Sequence, residues 1–439
     1  MSFYLCIDCG GSKTVAVIAD TNGNIVARVR GGPSNFAYLG LQPFIAVVRT
    51  TVEDALASLK ATHTDLPESS LKLPPPTPLF AAAWLGVSGV DSPSAIATLT
   101  PPLTSLLGVR PRVANDTSLL AAPLKLYSDV SSAVGCVGGT GGIVVSFRET
   151  DAGENNGDGV NLDELGRVGG WGWILGDEGG GFHVGREAIR QLLAEADRAS
   201  VQAPLGAPAP PTPVAAQGTE PRGLKARILA RFGVKDIFEV LTIVHLPDPL
   251  PVPEPPTPPL SSTTLASVVP EEAHAAHEAN TSNNPPATSF PREKRLSALA
   301  PLVFAAAFED QDPLALRVLR IASGALADQI CVLLRPEDAN AVAQPVHGGE
   351  AGWMSTGWMG TGAAVAADPG PAPGPRTVRA SESILCLGGS LVGLANYRQL
   401  LLDELKRRGY VFRRVQVVED AAAVGAQALA QGARGFRRD

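Results

Sequence analysis

The sequence predicts an α/β protein built from two similar halves that face each other. Three observations lead there: apolar strands alternate with stretches of helical spacing, a strand, glycine turn and strand unit occurs at 4–18 and again at 132–147, and proline-rich segments interrupt the pattern. At 439 residues the chain exceeds the usual size of one domain, so two domains with a large buried core are expected.

The elements follow in chain order. Residues 4–14, YLCIDCGGSKT, run as an apolar strand into Asp8 and then into Gly10, Gly11 and Ser12. The backbone N–H groups of such a turn converge on one concavity, and no side chain on Gly10 or Gly11 keeps an anion away. IVARVRGG follows as a hairpin partner, 44–60 has the spacing of an amphipathic helix, and FAAAWLGVSGV at 80–90 reads as a buried strand ending in glycine. VRPRVANDTSLLAAPLK reads as strand, acidic turn and a helix beginning near Leu119, and SSAVGCVGGTGGIVVSF as strand, glycine turn and strand. Helical spacing returns at 182–200, 224–245, 312–334 and 394–408, and the alanine-rich 419–431 is a final helix. Between 201 and 300 lie 18 of the 38 prolines; 246–292 is too proline-rich and too weakly apolar to build core, which predicts a disordered insertion. A second insertion, rich in glycine and proline, is expected at 347–379.

Charge and composition exclude several classes. A formal net charge of -7 with few basic clusters argues against a nucleic-acid partner, whose phosphates demand a positive face; the basic 434–438 fits a solvated end. The five cysteines, Cys6, Cys9, Cys136, Cys331 and Cys386, are odd in number and mostly inside apolar runs, which predicts reduced thiols and a cytoplasmic location. No charged n-region with a cleavage site opens the chain, and no uninterrupted apolar run spans a bilayer, so neither a signal peptide nor a membrane partner is expected.

Six local features carry the chemistry: Asp8 with GGSKT, PSN at 33–35, ND at 115–116, GGTGG at 138–142, GGWGWILGDEGGG at 169–181 and CLGGSLVG at 386–393. Three glycine-rich turns, each after an apolar run, suit a nucleotide held by backbone amides from opposite sides. None matches the GxxxxGKS/T phosphate loop, and GGTGG does not fit the spaced dinucleotide fingerprint. Asp8 at the end of a strand suits a hydrated magnesium ion, which takes one or two carboxylates and keeps several waters.

With these residues the chain resembles eukaryotic N-acetylglucosamine kinases and their relatives in the BadF/BadG/BcrA/BcrD ATPase family. The resemblance runs through nearly the whole chain apart from the two insertions. It implies a two-lobed actin-like ATPase fold of duplicated ribonuclease H-like domains, with ATP and Mg2+ as cofactors and a small amino sugar as substrate; relatives are often homodimers. The expected division is an N-terminal lobe at 1–122, a C-terminal lobe at 123–418 carrying the insertions at about 246–292 and 347–379, and a helix and tail at 419–439 packed on the N-terminal lobe. Position by position, the resemblance assigns Gly10, Gly11 and Ser12 to the first phosphate motif and Gly139, Thr140 and Gly141 to the second. Gly389 and Ser390 fall in the adenosine motif, with Ala298 nearby, and Asp8 reaches the metal through water. Asn35, Asp116, Gly170, Trp171, Gly172 and Asp177 fall to the sugar.

Phosphoryl transfer asks a protein for positioning, charge neutralisation and a base that orients the attacking hydroxyl. Asp116, in a turn between strand and helix, is placed to be that base; the same position suits a helix N-cap. Asn35 is equally a turn residue or a sugar ligand, since its amide offers both donor and acceptor. Ser12 and Thr140 can bond phosphate through their hydroxyls. Trp171 and Trp173 are as readily core residues as sugar contacts, capping accounts for one of Asp177 and Glu178, and Lys13 reads as a solvated side chain.

Three departures from the family pattern stand out. Cys9 occupies the first of three usual glycines, Gly142 replaces the usual serine after GTG, and Val168 stands where animal members have cysteine before GGWG. The leading expectation is an ATP-dependent kinase for the 6-hydroxyl of N-acetylglucosamine. Kinases for glucosamine or another hexose, a non-catalytic amino-sugar sensor, and an iron–sulfur ATPase that activates a dehydratase are the alternatives.

Overall fold

Side-chain alternation along β1 (Phe3–Cys9) puts Phe3, Leu5, Ile7 and Cys9 in one buried cluster and Tyr4 and Cys6 in another. A strand buried on both faces reads as a continuous apolar run, which is why its two sides cannot be told apart in the sequence. The computed structural model describes residues 2–64, 66–150, 162–203, 221–249, 286–337 and 376–433. Most of both expected insertions, at 250–285 and 347–375, and the basic stretch 434–438 lie outside the described residues.

The chain forms two compact units, one of residues 1–177 and 323–439, the other of 178–322. The first unit holds two five-stranded sheets with one topology. In the first sheet, β1 pairs antiparallel with β2 (Thr14–Ala19), β2 antiparallel with β3 (Ile25–Gly31), β1 parallel with β4 (Phe80–Val87) and β4 parallel with β5 (Arg112–Ala114). In the second, β6 (Ser132–Gly138), β7 (Gly142–Glu149), β8 (Leu162–Gly169), β9 (Ser383–Gly388) and β10 (Arg414–Val417) repeat that pattern strand for strand. The repeated glycine hairpin in the sequence therefore marks a true duplication, and each sheet opens on it.

Between the sheets lies a 3₁₀ helix, Asp116–Leu126, beginning at Asp116 rather than near Leu119. Its buried Leu119 faces β4, where a Cβ on Gly86 would stand 2.6 Å from the leucine Cγ. Leu120 faces the other sheet, where a Cβ on Gly388 would stand 2.8 Å from its Cδ2. The helix Ala421–Ala433 completes this central layer: Gly425 packs on the Cys6 sulfur, and Asp420 pairs with Arg28 of β3 at 2.6 Å. On the outer face of the first sheet, the helices Leu41–Thr62 and Pro93–Leu107 cover a core that includes Phe44, Leu56, Leu99 and Leu103. Burying each such side chain stabilises the fold by about 1.5–3 kcal/mol.

The second unit is helical. The period expected over 224–245 is split into Leu224–Phe232 and Glu239–His245, because Gly233 takes the left-handed conformation (φ 66°) and its amide caps Leu229 and Ala230. The buried Arg295 donates to the carbonyls of Ile243 (3.3 Å), Leu246 and Pro247 (2.7 Å), so the described flank of the proline-rich segment is tied into this unit. Among the described residues, no helix is long and apolar enough to cross a membrane.

Candidate active site

The glycine hairpins and the C-terminal ends of the parallel strands converge on the same end of both sheets, which is where open α/β sheets place ligands. At the first sheet, Gly10 N–H donates to Lys13 O (2.9 Å), closing the turn that presents Gly11 and Ser12 to solvent. Ser34 N–H donates to Gly10 O (2.9 Å) and the Thr14 hydroxyl lies 2.6 Å from Ser34 Oγ, which fixes the 33–35 loop against this turn. Asn35 then caps the short helix Phe36–Leu39, accepting from Tyr38 N–H at 3.3 Å.

Asp8 and Asp116 approach one another across Gly86. Asp8 is level with Gly86 in the β1–β4 register, and a Cβ on Gly86 would stand 3.1 Å from the Asp116 Cα. Burial, then the neighbouring Asp116 charge, push the Asp8 carboxyl up to about 6, against the opposing pull of Lys13. Two carboxylates that repel each other at the end of a sheet, beside a glycine turn, are a donor set suited to a hydrated divalent cation.

Capping falls to Asn115, not Asp116: Asn115 Oδ1 accepts from Thr117 N–H (3.0 Å) and the Thr117 hydroxyl (2.8 Å). The Asp116 carboxylate instead accepts from the Ser88 hydroxyl. Ser88 had no assigned role in the sequence, yet its N–H donates to Cys9 O and its carbonyl accepts from Phe36 N–H, both at 2.9 Å. One residue thus holds the β1 end, the Asn35 loop and the candidate base. The signal was present in GVSGV, a strand ending in a hydroxyl and glycine like CGGS, but the partner 28 residues away was not. Ser88→Ala should lower kcat about tenfold and leave the sugar KM within about twofold, measured by initial rates, because it frees the base and keeps the backbone bonds of residue 88 to Cys9 and Phe36.

Cys9 faces the outer core with Ile7 and is fully buried; burial pushes its thiol far up, with only the Ser34 hydroxyl bond drawing it down. The strand's alternation puts it on the face opposite Cys6, in the outer core and beside Ser34.

At the second sheet, Gly139 N–H donates to Gly141 O (3.0 Å), leaving Thr140 at the tip. Gly389, at φ 99°, lies against this turn: a Cβ there would stand 2.7 Å from Gly138 O, so only glycine lets the turns touch. Ser390 opens the short helix Ser390–Gly393 beside Gly139. Gly170 N–H donates to Gly142 O (2.9 Å), which brings the 170–172 segment to the same turn. Trp171 is 66% exposed, so the core reading of that residue is wrong: the left-handed Gly170 and Gly172 on either side lift it onto the surface. Asp177, itself left-handed at φ 61°, places its carboxylate against Gly141 and Gly142.

The two sheet ends are joined at Asp91, whose Oδ1 accepts from Asn115 Nδ2 (3.0 Å) and Arg167 Nη1 (2.6 Å). The first unit therefore gathers Asp8, Gly10, Gly11, Ser12, Asn35 and Asp116 at one sheet and Gly139, Thr140, Gly141, Gly170, Trp171, Gly172, Asp177, Gly389 and Ser390 at the other. Ala298 belongs to the second unit, where its amide caps the helix Arg292–Ser297. Glu178, in that unit too, is held down to about 2: burial acts against ionisation, but hydrogen bonds from His183 (3.0 Å) and Arg186 (2.8 Å) outweigh it.

Comparison with known proteins places the chain among relatives. The model of the BadF/BadG/BcrA/BcrD ATPase family matches residues 5–338. An N-acetyl-D-glucosamine kinase of Dictyostelium discoideum is 29% identical over 197 residues, 44% of this chain and 55% of that one. An N-acetylmuramic acid/N-acetylglucosamine kinase of Clostridium acetobutylicum is 27% identical over 200 residues, 45% of this chain and 56% of its own. The chain thus spans about half the length of the curated relatives it matches. A solved structure from Porphyromonas gingivalis, provisionally named an N-acetylglucosamine kinase, shares the fold at a TM-score of 0.50 and 17% identity, over 98% of this chain and 99% of that one.

Proposed function

Because the chain belongs to the BadF/BadG/BcrA/BcrD ATPase family and has its actin-like α/β fold, we propose that it is an ATP-dependent kinase that phosphorylates the 6-hydroxyl of N-acetylglucosamine. The observation that carries this reading is the meeting of Asp8 and Asp116 across Gly86, beside a glycine turn. The names of the two curated relatives support an amino sugar as the acceptor.

In this reading the Asp116 carboxylate, oriented by the Ser88 hydroxyl, accepts the proton of the sugar hydroxyl as its oxygen bonds to the γ-phosphorus of ATP and the bond to ADP breaks. The amides of the two glycine hairpins hold the β- and γ-phosphates, with the Ser12 and Thr140 hydroxyls beside them, and Gly389 and Ser390 border the nucleoside. Asn35, the 170–172 backbone and Asp177 take the sugar's polar groups. A hydrated magnesium ion at Asp8 supplies charge neutralisation for the phosphates.

The test is ADP release by the purified protein with ATP, magnesium and a panel of N-acetylglucosamine, glucosamine, glucose and N-acetylmuramic acid. N-acetylglucosamine should give the highest kcat/KM. Sugar-independent turnover, or none with any member of the panel, would refute the proposal.

A further inference from the structure

Asp177 makes a contact that a sugar ligand does not require. Its Oδ1 lies 3.4 Å from the amide nitrogen of Gly142, and its carboxylate fills the space that a Cβ on Gly141 would occupy. Gly141 and Gly142 close the second glycine hairpin, whose Gly139 amide is already spent on Gly141 O. The remaining amides of that turn are what it can offer an anion, and here the anion beside them belongs to the protein. The residue that places it there is strained: Asp177 and Gln311 are the non-glycine residues at positive φ among those described, and Asp177 has φ 61°. Such backbone is retained where the surroundings over-determine it, commonly at switch sites.

We propose that Asp177 is an internal occupant of the phosphate cradle that couples the two substrates. Without sugar, its carboxylate sits on the Gly141–Gly142 backbone and repels an incoming phosphate from the same amides. A sugar whose hydroxyls donate to Asp177 draws the carboxylate off and exposes the turn. Nucleotide then binds more tightly to the sugar-loaded protein, and by linkage the sugar binds more tightly to the nucleotide-loaded one by the same factor. Water in place of sugar leaves the cradle blocked, which suppresses ATP hydrolysis. The 170–172 segment is positioned to share in this, because Gly170 N–H holds the carbonyl of the same Gly142.

The coupling rests on the kinase reading; the occupied cradle does not. The experiment titrates the full chain with a non-hydrolysable ATP analogue and magnesium, by calorimetry, with and without N-acetylglucosamine. The parent should show a sugar-dependent gain in nucleotide affinity of at least fivefold, within the range of ordinary allosteric coupling. Asp177→Asn keeps the left-handed backbone accessible while removing the charge, and Asp177→Gly removes both side chain and strain. Both should bind the analogue without sugar at least about fivefold more tightly than the parent, with a sugar-dependent gain within about twofold of none. Nucleotide affinity unchanged or weakened in both variants, with melting temperatures at or above the parent's, overturns the proposal. If no amino sugar binds the parent, the kinase reading fails, while tighter nucleotide binding by the two variants still establishes the occupied cradle.

Discussion

Asp116→Asn should lower kcat by about 10²–10⁴ while the sugar KM stays within about fivefold. The asparagine carbonyl can still accept from the Ser88 hydroxyl, and capping of the 3₁₀ helix belongs to Asn115, so the loop keeps its place. What is lost is the acceptor for the hydroxyl proton. A second readout separates this from mere misplacement. Asp116 is, after burial, the main reason the Asp8 carboxyl stands at about 6, so removing its charge should lower that value. The magnesium dependence of residual turnover should therefore persist to lower pH in the variant than in the parent. Full activity in Asp116→Asn, measured by initial rates across sugar concentrations, would remove it from the mechanism.

Asp8→Asn should separate activity from stability in opposite directions. The carboxyl is pushed from 3.8 to about 6 by burial and by Asp116, so the fold disfavours its ionised form by about 3 kcal/mol at most. A folded-state value above the unfolded one leaves the protein unpenalised below about pH 4; stability is then lost as pH rises through about 6, and the full penalty holds above it. Asparagine cannot ionise. The variant should be more stable than the parent above pH 6, by roughly 2–3 kcal/mol in denaturant midpoints, and the difference should vanish near pH 4. Its activity should fall at least about 100-fold, because the amide no longer offers a charge to a hydrated cation. In the parent, magnesium affinity should drop about tenfold per pH unit below 6. A variant less stable than the parent at pH 7.5 would mean that Asp8 is not held at a cost to the fold.

The repeated hairpins were readable because glycine and strand periodicity are local properties: 4–18 and 132–147 became the opening strands of two sheets with one topology. The alternation of Cys6 and Cys9 between two cores was not, since a strand buried on both faces has no polar side to mark. The helix period at 224–245 was legible, but its break at Gly233 depends on a cap.

The α/β class, the repeated hairpin, the glycine turns and the acids beside them can all be read along the chain, because each depends on neighbours within a few residues. Which groups meet is a matter of packing. Gly86 lets the Asp8 carboxylate of β1 and the Asp116 carboxylate of the 3₁₀ helix approach, Ser88 reaches Asp116 over 28 residues, and Asp177 crosses 35 to lie on Gly142. Such pairs depend on strand register and on the 3₁₀ helix between the sheets, and the packing of distant segments sets both.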